Sequence, residues 1–402
     1  MITIADVQTW VTQPERERLL VVKVVTSEPG LYGLGCATFT QRVFAVQAAI
    51  DRHLKAFLLG RDVSRIEDLW HMARVNGYWR NGPVLNNALS GVDQALWDIL
   101  GKRAGLPLHD LLGGKCREAA LVYRHAEAPT AAEVIAQVEK FRAEGYRHVR
   151  VQLRRNGQSY GGGEQRQPPP DGAQPGAYFD PHGYARDTLA LLEQARARLS
   201  DSVALLHDVH ERLPPDAAVQ FAKDVEPFRL FFLEDPLPPE QVDWLPRLRA
   251  HATTPIAMGE LFNHPLEWER VIEDRSVDFV RMHVSQMGGL TPARKVAATA
   301  AARGIRTAWH GPADTSPVGH AANLHLELAS PNFGIHEWSG FGERTRALFP
   351  GIPEVRDGYL YPNGRPGLGI DFDEKLSADF PARDAVEEWT QARLPDGSGG
   401  FP

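Results

Sequence analysis

Apolar and polar positions follow two rhythms along this chain. The first hundred or so residues read as mixed α and β. The run Leu19-Leu20-Val21-Val22-Lys23-Val24-Val25 is rich in β-branched residues and stops before Pro29-Gly30, which predicts a strand. Helical periodicity follows from about 43 to 57 and from about 87 to 102. In the second stretch Leu89, Val92, Leu96, Ile99 and Leu100 share a face, and Gly105 and Pro107 end it. Beyond that point short apolar runs alternate with amphipathic helical stretches. The runs lie at 120–123, 148–152, 203–206, 230–233, 255–258, 279–282, 306–309 and 333–336. Helical patterns separate them, for example at about 130–144, 182–198, 216–226 and 291–303. Strand–helix alternation implies an α/β fold with a parallel sheet, and eight such units imply a closed TIM-type (β/α) barrel. An open dinucleotide-binding sheet would want a Gly-rich turn after its first strand, and none is present.

One segment breaks the rhythm. Residues 154–181 are crowded with Gly, Pro, Gln and Asp, including Gly161-Gly162-Gly163 and Pro168-Pro169-Pro170. The segment follows the second barrel strand, so it leaves from the end of the barrel where catalytic loops gather. A loop of that length is expected to act as a lid.

Composition narrows the function. The 402 residues are 43% hydrophobic and 24% charged, with a formal charge of −7. That balance gives no reason to expect a nucleic acid or an anionic membrane as partner. The cysteines, Cys36 and Cys116, offer neither a disulfide framework nor zinc spacing. The start of the chain lacks the layout of a signal peptide, and no apolar run reaches membrane-spanning length. A cytoplasmic enzyme is the expectation.

Candidate chemistry sits at the strand ends. Three apolar runs finish in a carboxylate: Leu205-Leu206-His207-Asp208, Phe232-Leu233-Glu234 and Ala257-Met258-Gly259-Glu260. The intervals Asp208–Glu234 and Glu234–Glu260 are both 26 residues, about the length of one βα unit. Equivalent ends of consecutive units would set the three side by side, and mutual repulsion would then demand a cation. Hard oxygen ligands favour Mg²⁺, ahead of Mn²⁺ and Ca²⁺. For one acidic residue a helix cap or salt bridge is the simpler explanation; equal spacing of three makes it the weaker one. His210 stands two residues after Asp208, so on an extended strand it would face the same way. His310 and Glu337 follow the seventh and eighth runs and are candidates for acid, base or substrate contacts.

These residues resemble the enolase superfamily, and within it the mannonate dehydratase branch, which includes starvation-sensing homologues. The resemblance covers nearly the whole chain. It is carried by Val122-Tyr123-Arg124-His125-Ala126, Val149-Arg150-Val151-Gln152, Leu206-His207-Asp208-Val209-His210, Leu233-Glu234-Asp235, Gly259-Glu260-Leu261-Phe262-Asn263, His310-Gly311 and Pro331-Asn332-Phe333-Gly334-Ile335-His336-Glu337. It implies an α+β capping domain over residues 1–115, a modified β/α barrel over 116–365, and a segment 366–402 returning to the cap. It implies Mg²⁺ held by Asp208, Glu234 and Glu260, stabilising the enediolate formed when an acid sugar loses its C2 proton. Arg150 matches the arginine of a base dyad and Tyr160, in the predicted lid, its tyrosine, whose pKa a nearby guanidinium would lower. His210 would act as the acid that expels the 3-hydroxyl. His125, His310, Asp314 and Glu337 match positions that contact substrate or support the site. A small-molecule acid sugar and a homo-oligomer are the implied partners.

Other branches fit less well. The second barrel strand lacks a Lys-x-Lys pair, and the sixth, Phe279-Val280-Arg281-Met282-His283-Val284, lacks an Asp to pair with a catalytic His. The chain also departs from the branch it resembles. Cys36 and Thr40 stand where the branch usually has Asp and Asn, the latter a substrate contact. Pro312 stands where the efficient mannonate enzymes tend to have Ala, and the tail Gly397–Pro402 lacks a Trp common at that end. The leading expectation is therefore a dehydratase of low efficiency, converting mannonate or gluconate to 2-keto-3-deoxygluconate. A metal-binding ligand sensor with vestigial catalysis and an acid-sugar epimerase or racemase are the alternatives.

Overall fold

Strand formation at 19–26 follows from side chains that suit an extended backbone buried on both faces. The structure, a computed structural model, describes residues 1–154 and 168–402. In it this segment is the middle of an antiparallel sheet of β1 (Ile4–Thr12), β2 (Leu19–Thr26) and β3 (Tyr32–Cys36), with Trp10 opposite Val21 and Val22 opposite Gly35. The predicted helix at 87–102 is longer, Pro83–Ala104, with Pro83 at its first turn and Gly105 in the left-handed region beyond its end. It lies so close to β3 that a Cβ on Gly33 would stand 1.9 Å from the Ala95 carbonyl oxygen. A Cβ on Gly35 would meet the Gly91 carbonyl oxygen at the same distance, so β3 depends on residues that are poor strand formers.

The remaining strands, in chain order, are β4 (Ala120–Ala128), β5 (His148–Leu153), β6 (Ala177–Tyr178), β7 (Ala204–Asp208), β8 (Leu233–Glu234), β9 (Ile256–Met258), β10 (Phe279–Val280), β11 (Arg306–Thr307), β12 (His336–Glu337), β13 (Glu354–Arg356), β14 (Tyr359–Tyr361) and β15 (Ala392–Arg393). Each of the eight predicted runs contains or adjoins one of these strands; β6 lies inside the predicted loop. Helices Ala131–Ala143, Pro181–Leu199, Pro215–Asp224 and Leu290–Ala302 fall between strands as the pattern predicts. The first of them starts at a reciprocal cap, in which Thr130 and Glu133 satisfy each other's backbone N–H.

The chain folds as two compact units. One comprises Met1–Leu121, Glu260–Glu269 and Arg281–Asp384; the other comprises Val122–Gly259, Arg270–Val280 and Ala385–Pro402. Within the second unit β4, β5, β7, β8, β9 and β10 run parallel in that order, with His125 beside Arg150, Arg150 beside Leu206, and Asp208 beside Glu234. The interior beneath the strand ends is filled by aromatic rings. Phe232 and Phe279 stand 5.2 Å apart and Tyr123 meets Phe232 edge-on at 6.2 Å. Such pairs add about 0.5–1.5 kcal/mol each beyond burial. The same unit pairs β15 with β6, tying residues 392–393 to 177–178. Within the first unit Phe380 accepts a hydrogen bond from Gln13 N–H, so residues before 385 bond along β1 while those after it belong to the other unit.

Candidate active site

Asp208 is the last residue of β7 and Glu234 the last of β8, and parallel pairing puts them in register. Both side chains are fully buried. Arg150, on β5, reaches across: its guanidinium lies 3.0 Å from Asp208, 3.4 Å from Glu234 and 3.6 Å from Glu127. Three carboxylates face one guanidinium, which leaves a local charge of −2 if all are ionised. Buried carboxylate oxygens carrying that excess fit a hard divalent cation. The backbone beneath is fixed from two sides. Gln152 Nε2 donates to the Asp208 carbonyl at 2.9 Å, and the Tyr184 hydroxyl lies 3.1 Å from the same oxygen. His207 Nδ1 is 2.8 Å from the Val151 carbonyl, which can only accept, so the proton is on Nδ1, and the single Tyr184 hydroxyl proton is shared between His207 Nε2 at 2.6 Å and the more distant Asp208 carbonyl. Burial pushes Tyr184 well above, and His207 down to about 4, so both are neutral near pH 7.

Glu260 lies two residues past β9. The intervening Gly259 has φ 132°, a conformation L side chains rarely adopt, and its N–H donates to Asp235 at 2.9 Å. Glu260 stands 3.1 Å from His310 Nδ1. Glu337, the last residue of β12, lies 3.4 Å from the same nitrogen. Glu337 also takes a 2.7 Å bond from Arg281 and another of 2.7 Å from Gly311 N–H. His283 packs 5.3 Å from the His310 ring, and burial pushes its pKa down to about 4. Its Nδ1 accepts from Ser285 N–H at 3.1 Å, leaving Nε2–H for Thr315 Oγ1.

His210 does not continue the strand. β7 ends at Asp208, and His210 and Glu211 adopt φ of 49° and 59°, so alternation cannot set the side-chain direction. A turn sets it instead. His210 N–H donates to Asp208 Oδ1 at 2.8 Å, and the ring rests against Trp389 at 6.1 Å. His210 Nδ1 is 2.9 Å from the Pro402 main-chain oxygen, which can only accept and so fixes a proton on Nδ1. Burial pushes the ring down to about 4, Arg212 and Arg150 acting in the same direction against Asp208.

The other predicted residues are placed as follows. His125 stands on β4 beside Arg150 in register, its ring 5.5 Å from Tyr123. Thr40 begins a short helical turn, is buried, and its hydroxyl accepts from Arg18 N–H at 3.2 Å. Asp314 has its pKa pushed up to about 7 by burial and by the like charges of Glu17 and Glu337. Tyr160 lies outside the described residues. Sequence reasoning passed over Glu127, Gln152, Arg281, His283, Tyr184 and Trp389. Arg281 and His283 carried a signal: two basic side chains directly follow the apolar residues of the sixth barrel strand. Trp389 had no such signal, since it reaches His210 only through the β15–β6 pairing.

Residues 2–113 match the mandelate racemase / muconate lactonizing enzyme N-terminal domain, and residues 133–376 match the enolase C-terminal domain-like family. A D-galactonate dehydratase family member from Enterococcus gallinarum is 50% identical over 402 residues, covering 100% of this chain and 99% of its own. The D-galactonate dehydratase family member RspA of Pantoea ananatis is 50% identical over 412 residues, with 98% of each chain covered. A crystal structure of an enolase from Pantoea ananatis, with bound D-gluconate and magnesium, superposes with a TM-score of 0.97 at 49% identity over 100% of both chains. The fold class is the one these proteins share, an α+β capping domain with a modified β/α barrel.

Proposed function

The chain belongs to the enolase superfamily and is a Mg²⁺-using sugar-acid dehydratase, a hydro-lyase, and from that premise we propose that its substrate is D-gluconate, turned over slowly, with D-mannonate a poorer one. The observation that supports gluconate is its presence with magnesium in a relative 49% identical over the full length. Asp208, Glu234 and Glu260 would hold the cation. When bound, it supplies electrostatic stabilisation of the charge that develops as the substrate's C2 proton leaves.

The protein's own groups divide the remaining work. Arg150 and Tyr160 would take the C2 proton, since a guanidinium near a tyrosine favours the phenolate. His210, its Nδ1–H held by the Pro402 main-chain oxygen, would have to take up a second proton on the imidazole, which Asp208 favours, and would then deliver it to the departing 3-hydroxyl, which leaves as water. The enol that remains tautomerises to the 2-keto-3-deoxy acid. His125, His310, Asp314 and Glu337 would contact the substrate or support the site. Low efficiency is supported by Thr40 and Pro312. The Thr40 hydroxyl already accepts the Arg18 N–H and cannot present an amide's paired donor and acceptor. Pro312 has no backbone N–H to offer beside His310. The test is incubation with Mg²⁺ and gluconate, mannonate or galactonate, followed by assay of 2-keto-3-deoxy products. Gluconate turnover above that of the other two is expected. Turnover of galactonate with none of gluconate would refute the assignment.

A further inference from the structure

Behind the 310–314 loop lies a chain of buried ionisable groups that the proposed mechanism does not use. Helix Pro317–Ala329 presents His320, Asn323 and Glu327 along one side, His320 and Glu327 being two turns apart. His336, on β12, bridges them. Its Nδ1 lies 2.7 Å from Glu327 Oε2 and its Nε2 lies 3.1 Å from His320 Nδ1. His320 Nε2 in turn is 3.4 Å from the Pro312 carbonyl. His320, Glu327 and His336 are all fully buried.

Proton counting orders this chain. A carboxylate and a carbonyl can only accept, so His336 Nδ1 and His320 Nε2 must both carry protons for the outer bonds to form. The central nitrogen–nitrogen contact needs one more. Two neutral imidazoles hold one proton each and fall one short. With Glu327 as the carboxylate, the geometry places the extra proton on His336, the ring that faces it at 2.7 Å. The triad then carries no net charge, which suits a dry interior. His320 stays neutral, consistent with burial and the neighbouring His336 pushing its pKa down to about 3.

The relay grips the loop that carries His310. A Cβ on Gly311 would stand 3.1 Å from His320 Cε1, so the ring abuts the backbone there. Asn323 Nδ2 donates to the His310 carbonyl at 3.2 Å. From the other side Glu337 accepts Gly311 N–H at 2.7 Å. Strand alternation explains the division: His336 and Glu337 are consecutive on β12, so one side chain turns to the helix and the other to His310.

We propose that Glu327, His336 and His320 are positioning residues, a proton-ordered relay that fixes the 310–312 backbone and so places His310 for the dehydration. The placement of His310 in that reaction rests on the function proposed above; the proton order does not. The experiment uses the Mg²⁺-loaded enzyme with ¹⁵N-labelled histidine rings at about pH 8, above the ordinary histidine range. One ring protonated on both nitrogens is expected, lost in Glu327→Gln, whose neutral amide cannot hold the extra proton. The same variant should lose about tenfold to a hundredfold in kcat on gluconate with KM little changed, the effect of displacing a reacting group by a fraction of an ångström to an ångström. A wild-type spectrum with every ring neutral would overturn the relay, and needs no variant to fold. So would a doubly protonated ring that survives in Glu327→Gln, or a variant that loses the signal yet keeps kcat. Absence of turnover in the unaltered enzyme refutes the substrate assignment alone, and the ring signature still decides the proton order.

Discussion

Replacing Arg150 by Met tests the reading of the carboxylate cluster most directly. The guanidinium lies 3.0 Å from Asp208 and 3.4 Å from Glu234, and only 3% of its side chain is exposed. At an effective dielectric of about 20 each attraction amounts to roughly 5 kcal/mol before desolvation. Desolvation offsets much of this, and breaking buried pairs typically costs about 3–5 kcal/mol. Met retains most of the side-chain volume, so the loss is electrostatic rather than a cavity. At about 2.1 cal/mol/K per residue of unfolding entropy, this predicts a Tm lower by roughly 4–6 °C in EDTA. The sign of the Mg²⁺ effect separates this account from general damage. Arg150 occupies carboxylate oxygens that the cation would use, so the variant should gain more from Mg²⁺ than the wild type. A ligand at a hundred times its Kd adds about 2.7 kcal/mol, enough to recover a large part of the loss. Calorimetry in EDTA and in Mg²⁺ measures both quantities, and dehydration should be absent throughout. An unchanged Tm in EDTA, or an equal Mg²⁺ increment in both proteins, would refute the reasoning.

Glu234→Gln should weaken Mg²⁺ binding in titration calorimetry and abolish dehydration while leaving the circular dichroism spectrum intact; unchanged affinity would remove Glu234 from the ligand set. His210→Asn should stop product formation yet leave some exchange of the substrate C2 proton in deuterated solvent, followed by NMR; equal loss of both would make His210 more than the acid. Asp93 is buried against Thr291, which donates to it from its backbone N–H at 2.9 Å, and burial raises its pKa to about 7. An unfolded aspartate titrates near 3.9, so between about pH 4 and 7 the folded state keeps a proton the unfolded state has lost; this group's contribution to stability therefore falls across that window by a few kcal/mol and is level above it. Asp93→Asn should flatten that part of the pH profile in denaturant titrations, and an unaltered slope would count against it. Thr40→Asn with Pro312→Ala should raise turnover of mannonate or gluconate in the keto-acid assay; no gain from the pair would place the limit elsewhere in the chain, with residues 154–181 and the tail the next to test.

Local pattern reaches a long way in this protein. Asp208, Glu234 and Glu260 are legible because a parallel strand's end is marked by the stop of an apolar run, and equal spacing repeats that mark. Helix Pro83–Ala104 and the strand at 19–26 are legible for the same reason: periodicity and terminators are properties of neighbours in the chain. The strand at 32–36 is not, since Gly33 and Gly35 are there for a helix some sixty residues away. Nor is the direction of His210, because a turn with φ of 49° replaced the extended backbone that alternation assumes. What surrounds each predicted group was decided by the tertiary structure. Arg281 with Glu337, Trp389 with His210, and His320 with His336 pair across 56, 179 and 16 residues of sequence. No period encodes those separations. They exist because pairing the strands and docking the helices within each unit bring distant side chains within a few ångströms, where burial makes an unmet hydrogen bond costly enough to select one partner.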